Sequence, residues 1–118
     1  MYKLIFSKLI DEDIDSCYLY IRDTLQAPMA AEKLMKELYE KLDHIREKPY
    51  SRPLVQDKLL ASFGIRSIKV KNYLLFYNIE EDEAEKDKKN INVITFMYSK
   101  RDWINILKET PLNEIIKK

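Results

Sequence analysis

A chain of 118 residues has the length of one domain with a single modest core, and its net charge of +1 excludes a globally basic nucleic-acid binder. With 46% hydrophobic and 35% charged residues it is not a disordered chain, and no apolar run reaches the ~18 residues of a membrane span. The lone Cys17 excludes an internal disulfide, and the early acids of MYKLIFSKLIDEDID argue against a secretory leader, so a single cytoplasmic domain over 1–118 is expected.

Residues 2–6, YKLIF, read as a short strand. From Lys8 the period changes to three and four, with Ile10, Ile14, Cys17, Tyr18, Ile21 and Leu25 forming the stripe of an amphipathic helix. Ser7 is placed to cap it, and Asp11 and Glu12 suit its positive end. Ala27-Pro28 ends this helix and starts a second, whose apolar face is Leu34, Leu38, Leu42 and Ile45 and which ends near Lys48-Pro49. Two helices of about 18 residues so closely joined make an antiparallel hairpin. The stretch 49–62 carries two prolines and weak periodicity and reads as a loop with a short strand or turn. Gly64, the one glycine of the chain, marks an unusual φ or a close approach of another segment.

Strands follow at about 65–71, 73–80 and 91–98, the first two joined by a tight turn near Lys71-Asn72 and the last two by an acidic loop. A short helix over 102–109, stopped by Pro111, closes the chain. The order is therefore β-α-α-β-β-β plus a short C-terminal helix: an α+β fold with the helical hairpin on one face of a small, mainly antiparallel sheet. The later strands are apolar on both faces. Alternation sets Leu74 and Phe76 against Leu75, Tyr77 and Ile79, and Ile94 and Phe96 against Val93 and Met97. The second face must be covered by a partner or by Trp103, Ile106, Leu107 and Ile115 of the chain itself.

Segment 63–79 holds three cations and no acid, whereas 80–90 holds six acids and three lysines, so the sheet can carry one basic face. Arg66, Lys69, Lys71, Lys100 and Arg101 with Tyr98 suit a phosphate backbone or an acidic partner. Each has a bland reading beside the functional one. Arg66 could make a structural ion pair, Lys69 and Lys71 a solvated strand edge on one face, and Tyr98 a half-buried strand end. Arg101-Asp102 could be a surface pair with Asp102 as helix cap, and Trp103 a core anchor. Cys17 reads as a small core hydrophobe and His44 as a surface residue. The acidic loop lacks the spacing of a calcium loop, and no metal or cofactor is implied.

Several pieces together resemble the RelE/ParE toxins of toxin–antitoxin modules. They are Ala31, Leu34 and Leu38 on the second helix, Pro49 after it, Gly64-Ile65-Arg66, Val70-Lys71-Asn72-Tyr73 with Phe76-Tyr77, and Tyr98-Ser99-Lys100-Arg101-Asp102-Trp103. The set is similar to the ParE-like plasmid-stabilisation branch. The resemblance implies a toxin that blocks an essential process, with DNA gyrase as one target, and is neutralised by a cognate antitoxin. It also carries an alternative: a ribosome-dependent, metal-independent mRNA endonuclease with Arg66, Lys69, Lys71, Tyr98 and Arg101 as catalytic residues. Here the chain departs from the nuclease pattern. Leu74 stands where such enzymes carry an arginine, Leu107 where they often carry a tyrosine, and Tyr98 where many carry a histidine. A tyrosine near pKa 10 is a poor base at neutral pH. A third reading, from another class, is a non-toxic interaction module.

Overall fold

The computed structural model describes residues 2–82, 84–85 and 88–110. Strand β1 (Lys3–Phe6) leads into α1 (Lys8–Leu19), which runs into a π-helical turn over Tyr20–Thr24. Then come α2 (Pro28–Glu47), a 3₁₀ turn (Pro49–Ser51), a short α3 (Lys58–Ser62), β2 (Arg66–Val70), β3 (Tyr73–Glu81), β4 (Lys89–Tyr98) and α4 (Trp103–Glu109). The sheet order is β1-β4-β3-β2, with β1 parallel to β4 and the other pairs antiparallel. The α+β order and the mainly antiparallel sheet are as the sequence predicts. No described helix is long and apolar enough to cross a membrane.

Local chemistry explains the helix starts. The Ser7 side chain accepts from the Ile10 amide at 3.1 Å, and its hydroxyl donates to the Ile94 carbonyl at 3.0 Å, tying the start of α1 to β4. Pro28 occupies the first turn of α2, where its missing N–H costs nothing. Helix α2 buries Ala31, Leu34, Leu38, Leu42 and Ile45 against the sheet with Ile10, Val70, Leu75, Tyr77, Val93 and Phe96. Gly64 has φ +75, and a Cβ there would meet nothing within 4 Å, so the turn needs glycine for its dihedral and not for space.

Three expectations are corrected. Leu25, placed in the apolar stripe, is 55% exposed. The π-helical turn adds a residue to the local period and rotates Leu25 off the core face. The stretch 49–62 contains helix α3, capped by Asp57, whose carboxylate accepts from the Leu60 amide at 3.1 Å; the expected short strand is a single bridge, Leu54 with Arg66. A β-bulge between β3 and β4 sets Phe76 opposite Thr95 and Tyr77 opposite Val93. Parity therefore slips: Ile94 and Met97 share the second face, while Val93 and Phe96 share the first.

The cover of the second face, left open between a partner and the chain itself, comes from the chain. Val55, Leu60, Ile65, Phe76, Ile94, Met97 and Leu107 form a second buried cluster, with Phe63, Trp103 and Ile106 packed on it. Helices α3 and α4 thus close this face, and Trp103 lies tilted on Phe76 at 5.3 Å between ring centroids. The covering residues come from this chain, so a partner is not needed to complete the core. Pro111 and Ile115 lie outside the described residues.

Candidate functional site

At one end of the sheet, two turns sit side by side. The Lys71–Asn72 turn joins β2 to β3, and residues 99–102 join β4 to α4. The Ser99 amide donates to the Asn72 carbonyl at 2.8 Å and locks the turns together. A groove of about 890 Å³ opens beside them, between the sheet, α1 and the start of α2. Its floor is apolar, with Ile21, Leu34 and Phe96, and its rim carries Lys71, Tyr98 and Arg101. Tyr73 stacks on Phe96 at 5.0 Å and meets Tyr98 edge-on at 5.9 Å, so the wall is an aromatic ladder. Burial raises the Tyr73 hydroxyl above its ordinary pKa, with nearby Cys17, Tyr20 and Tyr98 adding to the effect.

Each rim cation faces an acid of the helical hairpin. Glu37 of α2 accepts the Lys71 backbone amide at 2.7 Å, and its other oxygen lies 3.7 Å from Lys71 Nζ. Lys71 itself has φ +53, a left-handed conformation in which this double contact holds it. Asp13 of α1 is half-buried in the groove, and its carboxylate accepts the Thr95 hydroxyl. Burial raises the Asp13 pKa; the bonds from Thr95 and Phe96 and the charge of Arg101 oppose that rise. Burial also pushes the neighbouring Cys17 thiol up to about 11, with Asp13 adding and Arg101 opposing, so Cys17 is a wall residue and not a nucleophile.

The five residues singled out from the sequence divide. Lys71, Tyr98 and Arg101 share the groove; Arg66 and Lys69 are outside its lining. Lys69 is exposed on β2 opposite Leu74, a residue of the second face, whereas Lys71 has left the strand and is held by α2. The two lysines therefore do not share a face: the positive φ at Lys71 ends the strand alternation. Arg66 makes no ion pair among the described residues. Its guanidinium donates to the Arg52 carbonyl and lies 5.1 Å from the Tyr50 ring centroid. That ring belongs to a clasp in which both Tyr50 and Tyr2 donate to the Glu81 carboxylate, Tyr2 at 2.8 Å. Burial and the bond to Glu81 push the Tyr2 hydroxyl up to about 12.

The remaining candidates take bland roles. Asp102 sits at the cap position of α4 without a side-chain cap bond; its carboxylate accepts from Asn105 Nδ2 at 2.6 Å. His44 is exposed on α2, with Nε2 3.3 Å from Ser51 Oγ. Among the described residues no group of three His, Cys, Asp or Glu is placed to hold a metal.

Sequence reasoning missed Asp13 and Glu37. Both signals were present: Asp13 lies three after Ile10 and four before Cys17, on the inward stripe, and Glu37 lies three after Leu34.

A family model described as the ParE toxin of type II toxin–antitoxin systems, parDE, matches residues 4–103. No curated protein matches the chain. A solved structure of the chromosomal ParDE TA system from P. aeruginosa is similar in fold. Its TM-score is 0.61 at 14% identity, over 83% of this chain and 96% of that one.

Proposed function

The chain belongs to the ParE toxin family of type II toxin–antitoxin systems, and from that premise we propose that it acts on DNA gyrase, with the groove as the seat of a cognate antitoxin segment. One observation carries the choice of target: the five residues of the nuclease pattern do not converge. Arg66 is engaged by Tyr50 and the Arg52 carbonyl at a site apart from the groove, and Lys69 faces away from it. A phosphorane needs its cations and its base around one phosphate. Here the two groove cations are also set against Glu37 and Asp13, which weakens their pull on a phosphate backbone.

The same arrangement suits an amphipathic protein segment. Apolar side chains of the segment would fill the floor at Ile21, Leu34 and Phe96, and its polar groups would meet the rim of Lys71, Tyr98 and Arg101. A segment that binds only the folded toxin stabilises it.

Pulse-labelling of DNA, RNA and protein synthesis after tightly controlled induction tests the target. The expected result is that DNA synthesis fails first. Protein synthesis failing first would select the mRNA endonuclease, with Lys71, Tyr98 and Arg101 as its surviving groove residues. No change in any label, with soluble protein present, would select the non-toxic interaction module.

A further inference from the structure

We infer that the groove selects one carboxamide side chain, an asparagine or glutamine of the seated segment, held between Asp13 and Arg101. This rests on the groove being the seat of a protein segment, and it fixes one residue type of that segment.

The two acid–cation sets of the groove differ. Glu37 and Lys71 are closed on each other, with one carboxylate oxygen on the Lys71 amide at 2.7 Å and the other 3.7 Å from Nζ. Asp13 and Arg101 are not. Arg101 is exposed, and among the described residues its side chain makes no ion pair or hydrogen bond. The Asp13 carboxylate is held from the sheet side by the Thr95 hydroxyl and the Phe96 amide, with no described cation within ion-pair distance. The charge of Arg101 still acts on Asp13, and both side chains line the groove. They therefore face each other through the groove without meeting.

An ionised Asp13 accepts and cannot donate, whereas Arg101 donates and cannot accept. A ligand carboxylate between them gains Arg101 and is repelled by Asp13; a ligand ammonium meets the reverse. Either also gives up the hydration of a full charge. A carboxamide carries an acceptor oxygen and a donor nitrogen on one planar, uncharged group, so it satisfies both partners at once. A backbone peptide group has the same atoms, but in a helical segment they are bonded within the helix. The neighbouring wall strengthens the choice. Tyr73 stacked on Phe96, with Tyr98 edge-on, shields the half-buried Asp13 from water, where a bond made is stronger and a bond missed costs more.

The test is an amide-resolved NMR titration of the full chain with four acetylated, amidated peptides: Leu-Gln-Leu, Leu-Glu-Leu, Leu-Lys-Leu and Leu-Met-Leu. The expected result is saturable shifts at residues 13–17, 71–73 and 98–101, with a Kd roughly tenfold lower for the glutamine peptide, the worth of one charge-assisted bond. Neutralising one partner should turn the preference. Asp13→Asn leaves Arg101 and should favour the glutamate peptide, whereas Arg101→Gln leaves Asp13 and should favour the lysine peptide. Preferences that move in opposite directions cannot come from a general loss of fold. Equal binding of all four peptides at the groove would overturn the selection and leave the seat, since the shared backbone and leucines would then carry the contact. Tighter binding of the glutamate or lysine peptide to the unaltered chain, or preferences unmoved by the two substitutions, would overturn it as well. Shifts from none of the peptides at the groove would overturn the seat and the selection together.

Discussion

Replacing Leu107 by alanine tests whether the chain completes its own core. Leu107 is 1% exposed and belongs to the cluster of Leu60, Ile65, Phe76, Ile94 and Met97. Removing three carbons forfeits about 2.4 kcal/mol of transfer free energy at roughly 0.8 kcal/mol each. A cavity term adds to this, and the series for buried Leu→Ala spans about 2.7–5 kcal/mol. Helix α4 has seven residues and can settle partly into the void, which favours the low end, about 3 kcal/mol. With a urea slope near 1.5 kcal/mol per M, the midpoint should fall by about 2 M. Trp103, the single tryptophan, packs against Phe76 and reports the transition by fluorescence. Leu59→Ala, at a residue 49% exposed on α3, serves as the comparison and should cost under ~0.5 kcal/mol. A Leu107→Ala cost as small as that of Leu59→Ala would refute the reasoning: the second face would then be open, awaiting a partner.

Substitutions at two further positions probe the groove. Burial holds the Asp13 carboxyl above its ordinary 3.8, so the folded chain keeps a proton that the unfolded chain releases. Stability should therefore fall as pH rises from 3.8 through the higher folded value. Asp13→Asn should remove that slope while still accepting from Thr95; urea midpoints from acid to neutral pH that keep the wild-type slope would contradict this. Lys71→Gly should be more stable than Lys71→Ala by about 1 kcal/mol, because both lose the ion pair to Glu37 and keep the backbone-amide bond to it, while only glycine adopts φ +53 freely. Thermal unfolding of the two variants decides it, and equal stability would count against strain at this turn.

Much of this architecture was legible because hydrophobic period and turn chemistry agree. The stripe of α2, the Ser7 cap, Pro28 and the positive φ at Gly64 all follow from local rules. The failures share a physical cause: single-residue irregularities that no periodic pattern announces. The π-helical turn moved Leu25, and the bulge moved Phe96 relative to Ile94. Helix α3 has five residues, too few for a stripe, and forms because Asp57 caps it and Leu60 is buried. The candidate site was half legible. The cations of Lys71 and Arg101 stood out in sequence. Glu37 comes from α2, 34 residues before Lys71, so its pairing is a tertiary event. Arg66 looked like a member of the same set because sequence proximity to Lys71 hides that Arg66 opens β2 while Lys71 lies in the turn beyond its far end.

The parallel pairing of β1 with β4 makes synthesis itself a timer. Lys3 to Phe6 must wait for Asn90 to Val93 before they have a neighbour. The groove is later still, since α1 forms one wall and Tyr98 and Arg101 the rim. Such distant pairings form slowly, after the loop entropy has been met. A nascent chain that has not reached Arg101 carries the helical hairpin but no groove. At about 5–20 residues per second, the interval from Lys71 to Arg101 is a few seconds in which every cation-bearing turn exists only in part. Incomplete products of this gene thus lack the groove, which arrives all at once with the last strand.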